Sequence, residues 1–123
     1  MTRAETQRCQ LDTQTSPMLE ISNAMVRIYK DAFGRGPTKT RARFAGPDLL
    51  VVTLEGMMTT PERRLAALGE HERLREMRDL LNHALEDEIR SIVGAILGRT
   101  TLAFASAIDP AHDLAVMVFT LAP

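Results

Sequence analysis

The 123-residue chain has one cysteine, Cys9, no tryptophan, four phenylalanines and one tyrosine. A single cysteine rules out a disulfide within the chain, and a reducing, cytoplasmic setting fits. Scarce aromatics argue against a single-strand nucleic-acid platform, which interleaves exposed rings with basic groups. Charge excess is missing too: fifteen basic and sixteen acidic residues give a net charge of -1. Proteins that grip nucleic acid by its phosphates show a basic surplus, so no nucleic-acid partner is expected. No apolar run reaches the ~20 residues that span a bilayer, and "MTRAETQRCQLDTQTSP" has no signal-peptide core. The expectation is a cytoplasmic chain without direct membrane insertion, whose membrane connection would run through a partner.

What is present suffices for one domain with its own core. Residues 1–16 are polar and aperiodic and read as a disordered N-terminal tail; residues 17–123 read as a single domain. Ser16 and Pro17 suit a helix start. Leu19, Met25, Ile28, Ala32 and Phe33 then recur at helical spacing, and Gly34 ends that helix. In "TKTRARF" the period changes to two, and after the turn "AGPD" a second strand, "LLVVTLEG", completes a hairpin. "TTPE" opens a short helix, either with Thr60 as N-cap and Pro61 at the first position or with Thr59 and Glu62 as a capping box. That helix runs to Leu68 and breaks at Gly69. A long helix follows, with Leu74, Met77, Leu81, Leu85 and Ile92 as its apolar stripe, joined by Ile89, Val93 and Ile96 lower down, and ends at Gly98. "TTLAFASAI" and "DLAVMVFTL" are two more strands around "DPAH". The order α-β-β-α-β-β predicts an α+β fold: an antiparallel four-stranded sheet with a long helix packed on one face.

Chemistry is harder to place. "FGRGPTKTRARF" is rich in glycine and basic residues, but a phosphate-binding loop leads from strand to helix, and here a helix leads into a strand. Lys39, Arg41 and Arg43 share one sheet face and read as a charged edge that blocks aggregation. The alternative is an anion or small-ligand sensor built on Gly34–Arg43, with Arg35, Gly36, Thr38, Lys39 and Arg41 as binding residues. Asp79, His83 and Asp87 fall four apart on one helix face, a spacing typical of a solvated face, and no second histidine sits at ligand distance. No metal, no cofactor and no catalytic residue is expected, and the chain reads as a non-enzyme.

Apolar surplus is the most informative feature. Val116 and Val118 alternate with Met117, Phe119 and Leu121, and Leu49 and Val51 alternate with Leu50 and Val52, so both sheet faces are apolar. One wet face would alternate more cleanly. A homodimer is therefore expected, with Leu49, Val51, Met117, Phe119 and Leu121 at its interface.

The stretches "ISNAMVRIYKDAFGRGPTKTRA", "LLVVTLEGMMTTPERRL", "LREMRDLL" and "DLAVMVFTL", in that order and spacing, resemble the MpsC domain family of small bacterial proteins. The resemblance covers about Glu20 to Leu121, with Gly34–Arg41 and Glu55, Gly56, Thr59 and Glu62 as its signature. It implies an accessory of a membrane-potential-generating, sodium-translocating system, with a membrane-transport complex as possible partner. No catalytic residues carry over. Gly94 departs from the polar or acidic helix residue expected there.

Overall fold

The structure, a computed structural model, describes the backbone of residues 3–123 and the side chains of residues 17–123. Its elements are α1 (Arg3–Phe33), β1 (Lys39–Phe44), β2 (Leu49–Glu55), α2 (Thr60–Ala67), α3 (His71–Leu97), β3 (Thr101–Asp109) and β4 (Leu114–Leu121). The tail expected over 1–16 lies outside the residues whose side chains are described. Pro17 sits inside α1, not at its first turn. Gly34 and Gly98 both take the left-handed conformation that ends a helix, at φ 81° and 63°.

The two hairpins form one antiparallel sheet in the order β1-β2-β4-β3. Its register sorts every strand residue to a face. Leu50 faces Phe119, Val52 faces Met117 and Leu54 faces Ala115, while Leu49, Val51 and Thr53 pair with Thr120, Val118 and Val116. The first set is buried under both long helices, against Ile21, Met25, Ile28 and Tyr29 of α1 and Ile89 and Val93 of α3. Each such buried aliphatic or aromatic side chain contributes roughly 1.5–3 kcal/mol. The second set lies on the far face, where no helix packs among the described residues.

Two expectations are corrected here. Met117, Phe119 and Leu121 are core residues beneath the helices, at 1%, 0% and 1% exposure, so they offer no surface to a second copy. Leu49 and Val51 lie on the opposite face from them. Among the described residues, both long helices cover the same face.

Helix faces also turn slightly from the expected stripes. In α3 the buried row is Leu74, Arg78, Asn82, Ile89 and Val93, while Met77 and Leu81 remain 40% and 38% exposed. In α1, Leu19 and Ala32 are exposed, and Ala24 and Tyr29 take the buried places. Phe44 is exposed at the end of β1, whereas Phe104 packs against Phe119 with ring centroids 5.0 Å apart.

Gly94, inside α3, has a packing reason. A Cβ there would come within 2.8 Å of the Arg99 carbonyl oxygen, where the chain turns back and the Arg99 amide donates to the Gly94 carbonyl. Glycine inside a helix ordinarily costs about 1 kcal/mol relative to alanine. Gly94→Ala should therefore lower stability in urea unfolding despite its better helix propensity. A gain near 1 kcal/mol would show that the turn yields.

Candidate functional site

Polar groups converge on Gly56–Thr59, the loop between β2 and α2. Three side chains from distant parts of the chain grip its backbone. Arg35 donates from Nη2 to the Gly56 carbonyl at 3.1 Å and from Nη1 to the Met58 carbonyl at 3.3 Å. Asp113, in the β3–β4 turn, accepts the Met57 and Met58 amides on Oδ1, both at 3.0 Å. Arg78 reaches up from α3 and donates from Nη2 to the Met57 carbonyl at 3.2 Å. Gly56, at φ 66°, is required by close approach as well, because a Cβ would meet the Thr38 hydroxyl.

Arg78 is the centre of this knot. It is 1% exposed and makes a two-pronged ion pair with Glu62, Nε to Oε2 at 2.7 Å and Nη2 to Oε1 at 2.6 Å. Its guanidinium lies 3.9 Å from the centroid of Phe33, which stacks on Tyr29 at 5.4 Å. The Tyr29 hydroxyl donates to Asn82 Oδ1 at 2.6 Å, and Asn82 Nδ2 donates to Ser106 at 3.4 Å. One polar chain thus links α1, α3, β3 and the loop. Arg78 Nη1 and Thr40 Oγ1 are the buried side-chain polar atoms without a partner among the described residues.

Glu62 has two tasks. Besides pairing with Arg78 it closes the capping box of α2: its Oε1 accepts the Thr59 amide at 2.9 Å, and the Thr59 hydroxyl accepts the Glu62 amide at 3.3 Å. Of the two starts open in the sequence, the structure has the capping box. Burial alone would raise the Glu62 carboxyl. The Arg78 hydrogen bonds and charge, with the Thr59 amide and hydroxyl, outweigh that and hold it below the usual range. Burial likewise pushes the Tyr29 phenol up to about 12, against the opposing Arg78 charge. Tyr29 is thus a neutral donor at physiological pH.

The depressed Glu62 value sets a direction with pH. The pair's contribution is complete above the unfolded carboxyl pKa of ~4.3 and is lost as pH falls through the lower folded value. Thermal melts should drop as pH falls below about 4.3, and Glu62→Gln should flatten that acid limb. An acid limb unchanged in the variant would mean other carboxylates govern it.

The basic segment is split by the structure. Arg35 is committed to the loop. Gly36 is pressed against α1, where a Cβ would lie 2.9 Å from the Val26 carbonyl oxygen. The Thr38 amide and hydroxyl both donate to the Glu55 carbonyl. Lys39 stands 3.8 Å from the Glu55 carboxylate. Arg41 is brought together with Arg43, Val51 and Thr53 around a depression of about 220 Å³. Asp79, His83 and Asp87 are exposed along α3. Among the described residues, no three histidine, cysteine or acidic side chains cluster as metal ligands would.

Arg78, Asn82, Tyr29 and Asp113 escaped sequence reasoning. One signal was present: Leu74, Ile89 and Val93 lie on a helical row that passes through positions 78 and 82. An arginine and an asparagine inside an apolar row mark a buried polar network. Chemically, the knot is closed on the carboxylate side, and Arg78 Nη1 is its one unpartnered group among the described residues. Both Glu62 oxygens are taken and the guanidinium is walled by an aromatic ring, which makes it a lock for the loop and the α2–α3 corner.

No significant match is found among curated proteins or solved structures. The profile of one family, described as Na+-translocating membrane potential-generating system (MpsC), matches residues 13–123. That match takes in every element from the described side chains of α1 to the end of β4, and the chain belongs to the MpsC family.

Proposed function

We propose that the chain is a non-enzymatic accessory or regulatory domain of a membrane ion-transport system, working as a homodimer on the cytoplasmic side. The observation that carries the link to ion transport is family membership, whose description names a sodium-translocating, potential-generating system. Among the described residues no helix is long and apolar enough to cross a membrane. A domain of this kind therefore acts on transport through a membrane partner. The Arg78–Glu62 pair supports a non-catalytic reading, because both carboxylate oxygens are engaged within the chain and offer no free base or nucleophile. Affinity capture of the tagged chain from solubilised native membranes tests this. Ion-transport subunits should be enriched over an untagged control; recovery of the chain alone would refute the reading.

A second reading, an anion sensor, is favoured by one observation: Arg41 and Arg43 line the same depression, and neither has an acidic partner among the described residues. Phosphate, citrate and ATP would be screened by thermal shift. A ligand at a hundred times its dissociation constant should stabilise the fold by ~2.7 kcal/mol. Arg41→Gln should abolish that shift and change the stability of the free chain by less than about 0.5 kcal/mol, since the side chain is exposed. No shift with any anion would leave Arg41 and Arg43 as edge charges.

A further inference from the structure

The sheet has two edges of opposite character. β1 carries Lys39, Arg41 and Arg43 on its outer face. Pairing β1 with a copy of itself centred on Arg41 would set Arg41 against Arg41 and Lys39 against Arg43. Like charges directly opposite across a ladder are destabilising, so this edge is protected from its own copy. The other edge, β3, has nine residues, is irregular between Thr101 and Ala103, and carries no charge from Thr101 to Ile108. β4 is its sheet neighbour on one side, and α3 packs on its inner face through Asn82 and Ser106. Arg90 occupies the Thr101 carbonyl and hydroxyl at the start of the strand. Along the rest, Ala103, Ala105 and Ala107 are exposed, and Leu102 is 58% exposed. A long uncharged edge with apolar side chains in water is what strand addition uses.

We infer that β3 pairs antiparallel with β3 of a second copy of this chain, joining two four-stranded sheets across a twofold axis. The inference rests on the dimer proposed above and names its surface. Centring the axis on Ala105 pairs the regular, uncharged run Ala103–Ala107 with itself and opposes Ala103 to Ala107 and Phe104 to Ser106. No like charges meet in that register. The small alanine side chains let backbones approach without a clash on the outer face, and Leu102 gains cover at the end of the ladder. A second copy is the occupant argued for because β3 is compatible with itself: in this register its uncharged residues meet uncharged residues, and the one charge, Asp109, meets Thr101. The basic edge stays outermost in the assembly and ends its growth.

Light scattering of the full chain at micromolar concentration tests this, with two double variants at exposed positions. Wild type should give a dimer mass. Ala103→Lys with Ala107→Lys places like charges opposite each other twice and should weaken association more than tenfold. Ala103→Glu with Ala107→Lys places opposite charges in the same pairs and should keep the dimer. Hydrogen exchange on the wild type needs no variant: amides within 102–108 should exchange more slowly as concentration rises. A monomeric wild type overturns this inference and the dimer reading together. A dimer indifferent to the lysine pair, or with concentration-independent exchange over 102–108, overturns this inference and leaves the dimer standing. Loss of the dimer in both double variants, with circular dichroism unchanged, overturns the Ala105-centred pairing proposed here.

Discussion

Arg78→Met should destabilise the fold by about 3–5 kcal/mol, because it strands the buried Glu62 carboxylate. Methionine keeps most of the apolar stem, so the loss reflects the guanidinium. Without it the Met57 carbonyl loses a donor, the Phe33 ring loses its cation, and a carboxylate at 5% exposure stands unpaired. Native stabilities of about 5–15 kcal/mol leave little margin for a loss of that size. Urea unfolding of the variant measures it. Adding Glu62→Gln removes the stranded charge, so the double variant should recover a large part of the loss. A double variant no better than the single one would mean that the two side chains are not coupled.

Phe119→Glu should leave no stable fold. The side chain is wholly buried, paired across the ladder with Leu50 on one side and Phe104 on the other. Truncating such a phenylalanine to alanine costs about 3–5 kcal/mol, and a carboxylate without a partner adds the cost of burying a charge. From alternation alone this substitution would be expected to weaken association between copies. The structure changes the expected readout from mass to folding. Val118→Glu, one residue away on the open face, serves as the contrast. Circular dichroism should show loss of structure for Phe119→Glu and a folded protein for Val118→Glu. A folded Phe119→Glu chain would contradict the placement of β4 beneath the helices.

Local signals carried most of the fold. Period-two alternation in "TKTRARF", glycines at 34 and 98 and the "TTPE" start each have a short-range cause, and each element appears close to where they place it. What alternation could not supply was which face of one strand matches which face of another. That depends on register, and the β2–β4 register puts Leu49 and Val51 opposite the side holding Met117 and Phe119. The candidate site was less legible because its pairs are distant in sequence. Arg78 and Glu62 lie on separate helices, Asp113 reaches the Met57 and Met58 amides from the far hairpin, and Tyr29 meets Asn82 across two helices. Arg35 was singled out for its charge, yet its work is to hold backbone carbonyls within the chain. An arginine in a glycine-rich loop looks the same in sequence whether its target is a ligand or its own backbone.

The central claim, an accessory role in sodium-linked membrane energisation, is tested most directly by the sodium-dependent membrane potential of inverted vesicles. These would be prepared from native cells with and without the gene for this chain, then supplemented with the purified protein. The account predicts a lower sodium-dependent potential without the chain and recovery when it is added back. An identical potential in both preparations, unchanged by the added protein, would contradict it.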